Sequence, residues 1–153
     1  AFARAAVDAV RRAGMTSRTT IQSFDWRTLL AVKRLAPELA TVCLTAEGGR
    51  FDTVKPDASG SSPWHAGIAP GDHAGSVPAM ARAVGCAIWS PNVASVTRER
   101  VAIAHALGLR VLPWTVNDPA DMARLIDWGV DGLITDYPDR ARRVMQEKGL
   151  SLP

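Results

Sequence analysis

RVLPWTVNDPADMARLIDWGVDGLITD, residues 110–136, decides the fold class. It divides into a strand, VLPWTV, a helix, PADMARLIDWG, and a second strand, DGLITD. A strand–helix–strand crossover within one sheet is right-handed and leaves its two strands parallel. The two strand ends, at residues 115–117 and 135–137, are therefore expected side by side at the carboxyl edge, where α/β folds build their sites. Asp118 and Pro119 supply an N-cap and a first helical residue, and Asp121 follows in the first turn, favourably placed against the helix dipole.

The same unit recurs upstream. Residues 1–13 place Phe2, Ala6, Val7 and Val10 on one helical face before Gly14. TTIQSF (19–24) reads as a strand, and Asp25 caps a helix that ends before Pro37. ATVCLT (40–45) is a second strand and CAIW (86–89) a third. Between helices at 77–84 and 98–107 and the final helix opened by Pro138, the pattern counts five βα units, hence a parallel sheet. The expected architecture is α/β, a TIM-type (β/α)8 barrel present as about five parallel strands in one domain over 1–153. A full barrel needs about 250 residues, so the amino-terminal part is expected to lie outside this chain. No G-x-G-x-x-G, Walker or G-x-S-x-G sequence favours a nucleotide-binding or hydrolase version of an open sheet.

One stretch breaks the rhythm. Residues 46–76 are rich in Gly, Ser, Pro and Asp and too long for a simple connection. They read as a surface excursion pinned by Trp64, with a loop closing over a site as the functional alternative.

Composition narrows the partners. A hydrophobic share of 47%, a charged share of 22% and a net charge of +3 are those of an ordinary globular domain. The arginines are scattered among acids on helices, without a basic stripe, so no nucleic-acid partner is expected. No apolar run approaches about 18 residues, so no membrane span is expected. Cys43 and Cys86 each fall inside an apolar, strand-like run and read as buried free thiols.

The residues expected at the strand ends are Gln22, Ser23 and Phe24; Thr45 and Glu47; Trp89 and Ser90; Trp114 and Asn117; Thr135 and Asp136. No histidine stands among them: His105 lies in a helix, and His65 and His73 lie in the excursion. A Ser–His–Asp arrangement is therefore disfavoured. Glu47 reads as a solvated loop residue and Asp136 as a helix cap ahead of Pro138. Trp114 and Phe24 suit an apolar wall beside a substrate.

Taken together, IQSFDWRTLL (21–30), IWSPN (88–92), the SPWHAG segment (62–67) and AHALGLRVLPWTVNDPADMARLIDWGVDGLITDYPDR (104–140) resemble the bacterial glycerophosphodiester phosphodiesterase family. The resemblance covers strands four to eight of that family's barrel. It implies hydrolysis of glycerophosphodiesters to glycerol 3-phosphate and an alcohol, in lipid and glycerol metabolism. It also implies a divalent metal, Ca²⁺ or Mg²⁺, and two acid–base histidines. The family carries those groups on its earlier strands, in His-Arg-Gly, Glu-x-Asp and His-Asp motifs that do not occur here. No catalytic residue and no metal ligand is therefore assigned to this segment. What the resemblance carries over is substrate contact by Trp114, Phe24, Gln22 and Asn117. The implied partners are a small phosphodiester and the amino-terminal half of the barrel. The alternative is a non-catalytic half-barrel that binds or scaffolds. A cytoplasmic and a periplasmic location both fit the sequence.

Overall fold

The computed structural model describes residues 1–152. Six helices alternate with a parallel sheet: α1 Phe2–Arg12, β1 Thr20–Ser23, α2 Trp26–Leu35, β2 Ala40–Thr45, α3 Val77–Val84, β3 Ile88–Pro91, α4 Arg98–Ala106, β4 Arg110–Val111, α5 Pro119–Asp127 and α6 Pro138–Glu147. The sheet order is β1-β2-β3-β4, each strand parallel to the next.

Local signals set these boundaries, Asp25 and Asp118 among them as expected. Asp25, Ser76, Thr97 and Asp118 each accept a first-turn backbone N–H at the start of α2, α3, α4 and α5. Gly85, at φ +82°, ends α3 in the left-handed conformation that a side chain resists. α6 departs from expectation: its N-cap is Tyr137, not Asp136. Asp136 turns instead to Asn117, and its carboxylate accepts from Asn117 Nδ2 at 2.9 Å.

The expected fifth strand, residues 131–136, is not a regular strand. It still follows β4 through backbone bonds: Asp131 N–H donates to Val111 O, Ile134 N–H to Pro113 O and Val116 N–H to Ile134 O, at 2.9–3.0 Å. Pro113 has no amide hydrogen to give toward this segment, and Pro91 has none to give toward β4, where Ser90 Oγ donates to Leu112 O instead. β4 is two residues long, and the chain beyond it stays beside β3 through Leu112 N–H to Trp89 O, Trp114 N–H to Pro91 O and a bridge between Asn92 and Trp114.

The main core lies between the sheet and helices α2 to α5. Trp26, Leu29, Met80, Trp89, Leu109, Met122 and Leu125 are all buried there. A satellite core joins α1 to α2 through Val7, Val32, Ala36 and Leu39. At roughly 1.5–3 kcal/mol per buried large side chain, these faces outweigh the intrinsic preference of any single helix.

Cys43 and Cys86 are not free thiols: they form a disulfide across a Cα–Cα distance of 5.9 Å. The two residues look unrelated at a separation of 43, but β2 and β3 pair directly, and Cys86, two residues before β3, thereby meets Cys43 within the core. The bond closes the whole 46–76 excursion into a loop.

That excursion contains no strand, only a short 3-10 turn at Pro70–His73. It is fastened at both ends of its first half. Thr53 exchanges hydrogen bonds with Ala46, and Ser62 Oγ donates to Thr53 O. The Trp26 N–H, at the start of α2, donates to Trp64 O at 2.8 Å. The buried anchor is His65 rather than Trp64. Its imidazole is fully enclosed and stacks on Trp26 at 3.9 Å, with rings 13° from parallel, while Trp64 stays 36% exposed. Neither ring nitrogen of His65 has a hydrogen-bond partner. Burial pushes its pKa down from 6.5 to about 4, against the opposing pull of the Asp52 charge.

Two outcomes follow for stability. Replacing both cysteines by alanine is expected to cost about 4 kcal/mol in urea unfolding, the chain-entropy value for a loop of this length. Two reactive thiols in denatured, unreduced protein would show that the bond is absent. The folded state refuses a proton that unfolded His65 accepts, so this contribution is whole above about pH 6.5 and lost as pH falls toward 4. Wild type is expected to lose about 3 kcal/mol more than His65→Phe over that interval. Equal losses in paired urea melts would contradict the buried neutral ring.

Candidate functional site

The carboxyl ends of the strands converge on a cavity of about 200 Å³ lined by Gln22, Phe24, Leu44, Trp114, Thr115 and Ile134. Gln22 is exposed on β1, and Phe24 follows directly after that strand, half-buried. Trp114 sits across the opening, with the two rings edge to face at 5.4 Å and 80°. That separation and angle are a favoured arrangement for aromatic pairs. Three of the four expected substrate-contact residues are thus brought together around one cavity.

Trp114 is held from several sides. Its indole N–H donates to Ser90 O at 2.9 Å, its backbone N–H to Pro91 O, and its carbonyl accepts from Val93 N–H. The Trp114–Thr115 peptide is cis. The neighbouring strand end is fixed in turn: Asn92 N–H donates to Thr45 O, and Thr45 Oγ1 accepts from the buried Trp89 indole. The ring is therefore placed by the β3–β4 junction rather than by its own loop.

Asn117, the fourth expected contact, is placed apart from the cavity lining. Its Oδ1 accepts from Thr135 Oγ1 and from Asp136 N–H, while its Nδ2 donates to the Asp136 carboxylate. Its carbonyl accepts from Arg140, whose guanidinium lies 3.8 Å over the Tyr137 ring. One side chain thereby ties the last two strand ends together.

The acids near the opening are already engaged. Glu47 is not a solvated loop residue: it pairs with Arg100 at 2.7 Å. That arginine also donates to Ser95 O and lies over the buried Trp89 ring. Asp25 is bridged by Arg27, whose hydrogen bond holds its carboxyl below the ordinary range. Burial works to raise the Asp52 carboxyl, but the N–H groups of Gly48, Lys55 and Val54 outweigh it and hold the group low. Among the described residues, no three His, Cys, Asp or Glu side chains are grouped to hold a metal ion. His105 lies on the opposite side of the sheet edge, with Asp131 at 2.9 Å, away from the cavity.

Sequence reasoning missed Phe51. Its ring meets Phe24 at 5.1 Å and Trp64 at 5.9 Å, so the excursion returns to the opening. The available signal was a lone aromatic beside a Gly-Gly-Arg turn, which carries no period to read.

Comparison with known proteins gives one consistent answer. A profile of the glycerophosphoryl diester phosphodiesterase family matches residues 2–140. A glycerophosphodiester phosphodiesterase of Bacillus subtilis (strain 168) is 35% identical over 131 residues, covering 81% of this chain and 35% of the relative. One from Caldanaerobacter subterraneus subsp. tengcongensis is 27% identical over 143 residues, covering 94% of this chain and 49% of the relative. Among solved structures, a glycerophosphoryl diester phosphodiesterase homologue from Silicibacter pomeroyi aligns with a TM-score of 0.77 at 37% identity. That alignment covers 99% of this chain and 45% of the homologue. One from Parabacteroides distasonis, at 22% identity and a TM-score of 0.72, supports the fold. The chain thus spans between about a third and a half of the length of these relatives, and its α/β sheet corresponds to part of a TIM-type barrel.

Removing the Asn117 side chain would leave the Thr135 hydroxyl and the Asp136 carboxylate short of partners. Asn117→Ala is expected to destabilise the fold by about 1–2 kcal/mol in urea unfolding. A change below about 0.3 kcal/mol would mean that the strand ends do not depend on this tie.

Proposed function

Because the chain belongs to the glycerophosphoryl diester phosphodiesterase family, we propose that it supplies the substrate-facing wall of an enzyme hydrolysing glycerophosphodiesters. The observation that carries this reading is the Phe24–Trp114 edge-to-face pair at the mouth of a cavity on the carboxyl edge of the sheet. Two rigid rings present an apolar surface to the carbon skeleton of glycerol, and the exposed amide of Gln22 offers a polar contact beside them. Hydrolysis replaces the alcohol on phosphorus with the oxygen of water, leaving glycerol 3-phosphate and the free alcohol.

This chain's own residues do not fit the divalent cation that the family resemblance implies. The cavity lining contains no carboxylate, and the nearest acids are committed to Arg100, Arg27, Asn117 or backbone amides. The cation ligands and the acid–base imidazoles belong, in this reading, to the amino-terminal strands of the complete barrel. Those strands would also cover the open edges at β1 and at 131–136. The buried disulfide supports folding in an oxidising compartment, which favours the periplasmic alternative.

The complete barrel, this chain joined to its amino-terminal strands, is expected to release glycerol 3-phosphate from glycerophosphodiesters in an enzyme-coupled assay. The 153-residue chain alone is expected to release none. Trp114→Ala in the complete barrel should lower kcat/KM at least about tenfold, the value of one aromatic surface lost from the bound substrate. Turnover by the isolated chain would overturn this division of labour, and an unchanged kcat/KM in the variant would remove Trp114 from the wall.

A further inference from the structure

The aromatic surface does not stop at Phe24 and Trp114. It continues onto the excursion, from Phe24 to Phe51 at 5.1 Å and from Phe51 to Trp64 at 5.9 Å, each contact edge to face. Phe51 remains 48% exposed and Trp64 36%, so both keep a large apolar face in contact with water. Exposed aromatics on a loop are ordinarily mobile, but these two are set on fastened backbone. The turn around Phe51 is locked by Asp52, which accepts N–H groups on both sides of the ring from Gly48, Val54 and Lys55. Trp64 accepts the Trp26 N–H at the start of α2 through its own carbonyl, and its neighbour in the chain is the buried His65. The chain thus holds two apolar faces in place on an aromatic surface continuous with the Phe24 wall of the cavity.

The charges around these rings narrow the ligand. Asp25 and Glu47 are neutralised by Arg27 and Arg100, while Asp52 keeps its charge but turns both oxygens to backbone N–H groups and stands in the chain between two cations. Arg50, next in sequence to Phe51, and Lys55 are both exposed cations, and they repel a cationic alcohol. An uncharged aliphatic chain gains from the rings without that cost.

We propose that Phe51 and Trp64 are specificity-determining residues that receive an uncharged aliphatic leaving alcohol, with the glycerol phosphate half of the diester at Phe24 and Trp114. The proposal rests on the phosphodiester reading above and names its substrate class: glycerophosphodiesters of apolar alcohols rather than of choline-like or highly polar ones. Rings that stay partly open contribute about half of what full burial does, or roughly a twofold gain in affinity per added methylene.

The test is binding, read from the indole ¹⁵N–¹H signals of Trp64 and Trp114 in the 153-residue chain. The probes are the glycerophosphodiesters of ethanol, butanol and hexanol, with glycerophosphocholine as the cationic comparison. Affinity is expected to rise about tenfold or more from the ethyl to the hexyl diester, with glycerophosphocholine no tighter than the ethyl one. Phe51→Ser and Trp64→Ser should each flatten this dependence to below about threefold, and Phe51→Leu should keep an intermediate slope. Unchanged Trp26 and Trp89 signals show that each variant is folded. The same slope in both Ser variants, or choline preferred over hexyl, overturns the proposal. So does Phe51-dependent sedimentation with phosphatidylglycerol vesicles without any chain-length slope, which marks a membrane contact instead. Lack of turnover by the complete barrel with the slope intact would strike the hydrolytic reading and leave the alkyl-binding wall standing.

Discussion

The pairing of β2 with β3, locked by the Cys43–Cys86 disulfide, is the constraint on which the site depends. A parallel neighbour must be reached by a crossover, and here that crossover carries the 46–76 excursion as well as α3. Left free, so long a polar segment would gain conformational entropy by detaching from the sheet. The covalent closure lowers the entropy of the unfolded loop, and the Trp26–His65 stack fixes where the excursion lies when folded. Between these fastenings Phe51 is set against Phe24, with Trp64 behind it.

His65 shows the cost of that arrangement. Enclosing an imidazole with neither nitrogen paired forfeits two hydrogen-bonding opportunities, which an apolar ring of similar size would not. The stack on Trp26 and the carbonyl of Trp64 on the α2 amide offset part of it. The fold therefore accepts a locally unfavourable group at the point where the excursion must be anchored, close to the aromatic surface it presents.

Sequence legibility followed from how local each signal is. Asp25, Thr97 and Asp118 cap helices through their own next few residues, so a reader of the chain sees both partners at once. The alternation of β-branched runs with helical periods gives the parallel sheet for the same reason. The disulfide, the Glu47–Arg100 pair and the Asn117–Asp136 tie join residues 43, 53 and 19 positions apart, and each exists only after the strands are set in register. The irregular 131–136 segment was misread because its alternation is that of a strand, while its partner loses the ladder at Pro113. Trp114 and Phe24 were legible because strand ends in a βα repeat are predictable, and Phe51 was not, because nothing periodic leads to it.

The engagement of the acids near the opening bears on how a barrel of this kind divides its labour. A group that must bind a cation or move a proton needs its lone pairs available, whereas a group that fixes geometry is best satisfied already. Glu47, Asp25, Asp52 and Asp136 all belong to the second kind: each is bound by an arginine, an asparagine or backbone amides. Beside the exposed Gln22 amide, what the segment leaves open at the mouth is mainly apolar, namely the faces of Phe24, Trp114, Phe51 and Trp64. In the proposed enzyme, a surface whose acids are paired and whose aromatic faces are open would discriminate between substrates by shape and burial, while the charge-bearing steps would fall to strands that bring free carboxylates and imidazoles to the same edge. Selectivity and reactivity would then sit on opposite sides of one cavity, so that substitutions in the excursion change which alcohol is accepted without rearranging the groups that act on phosphorus.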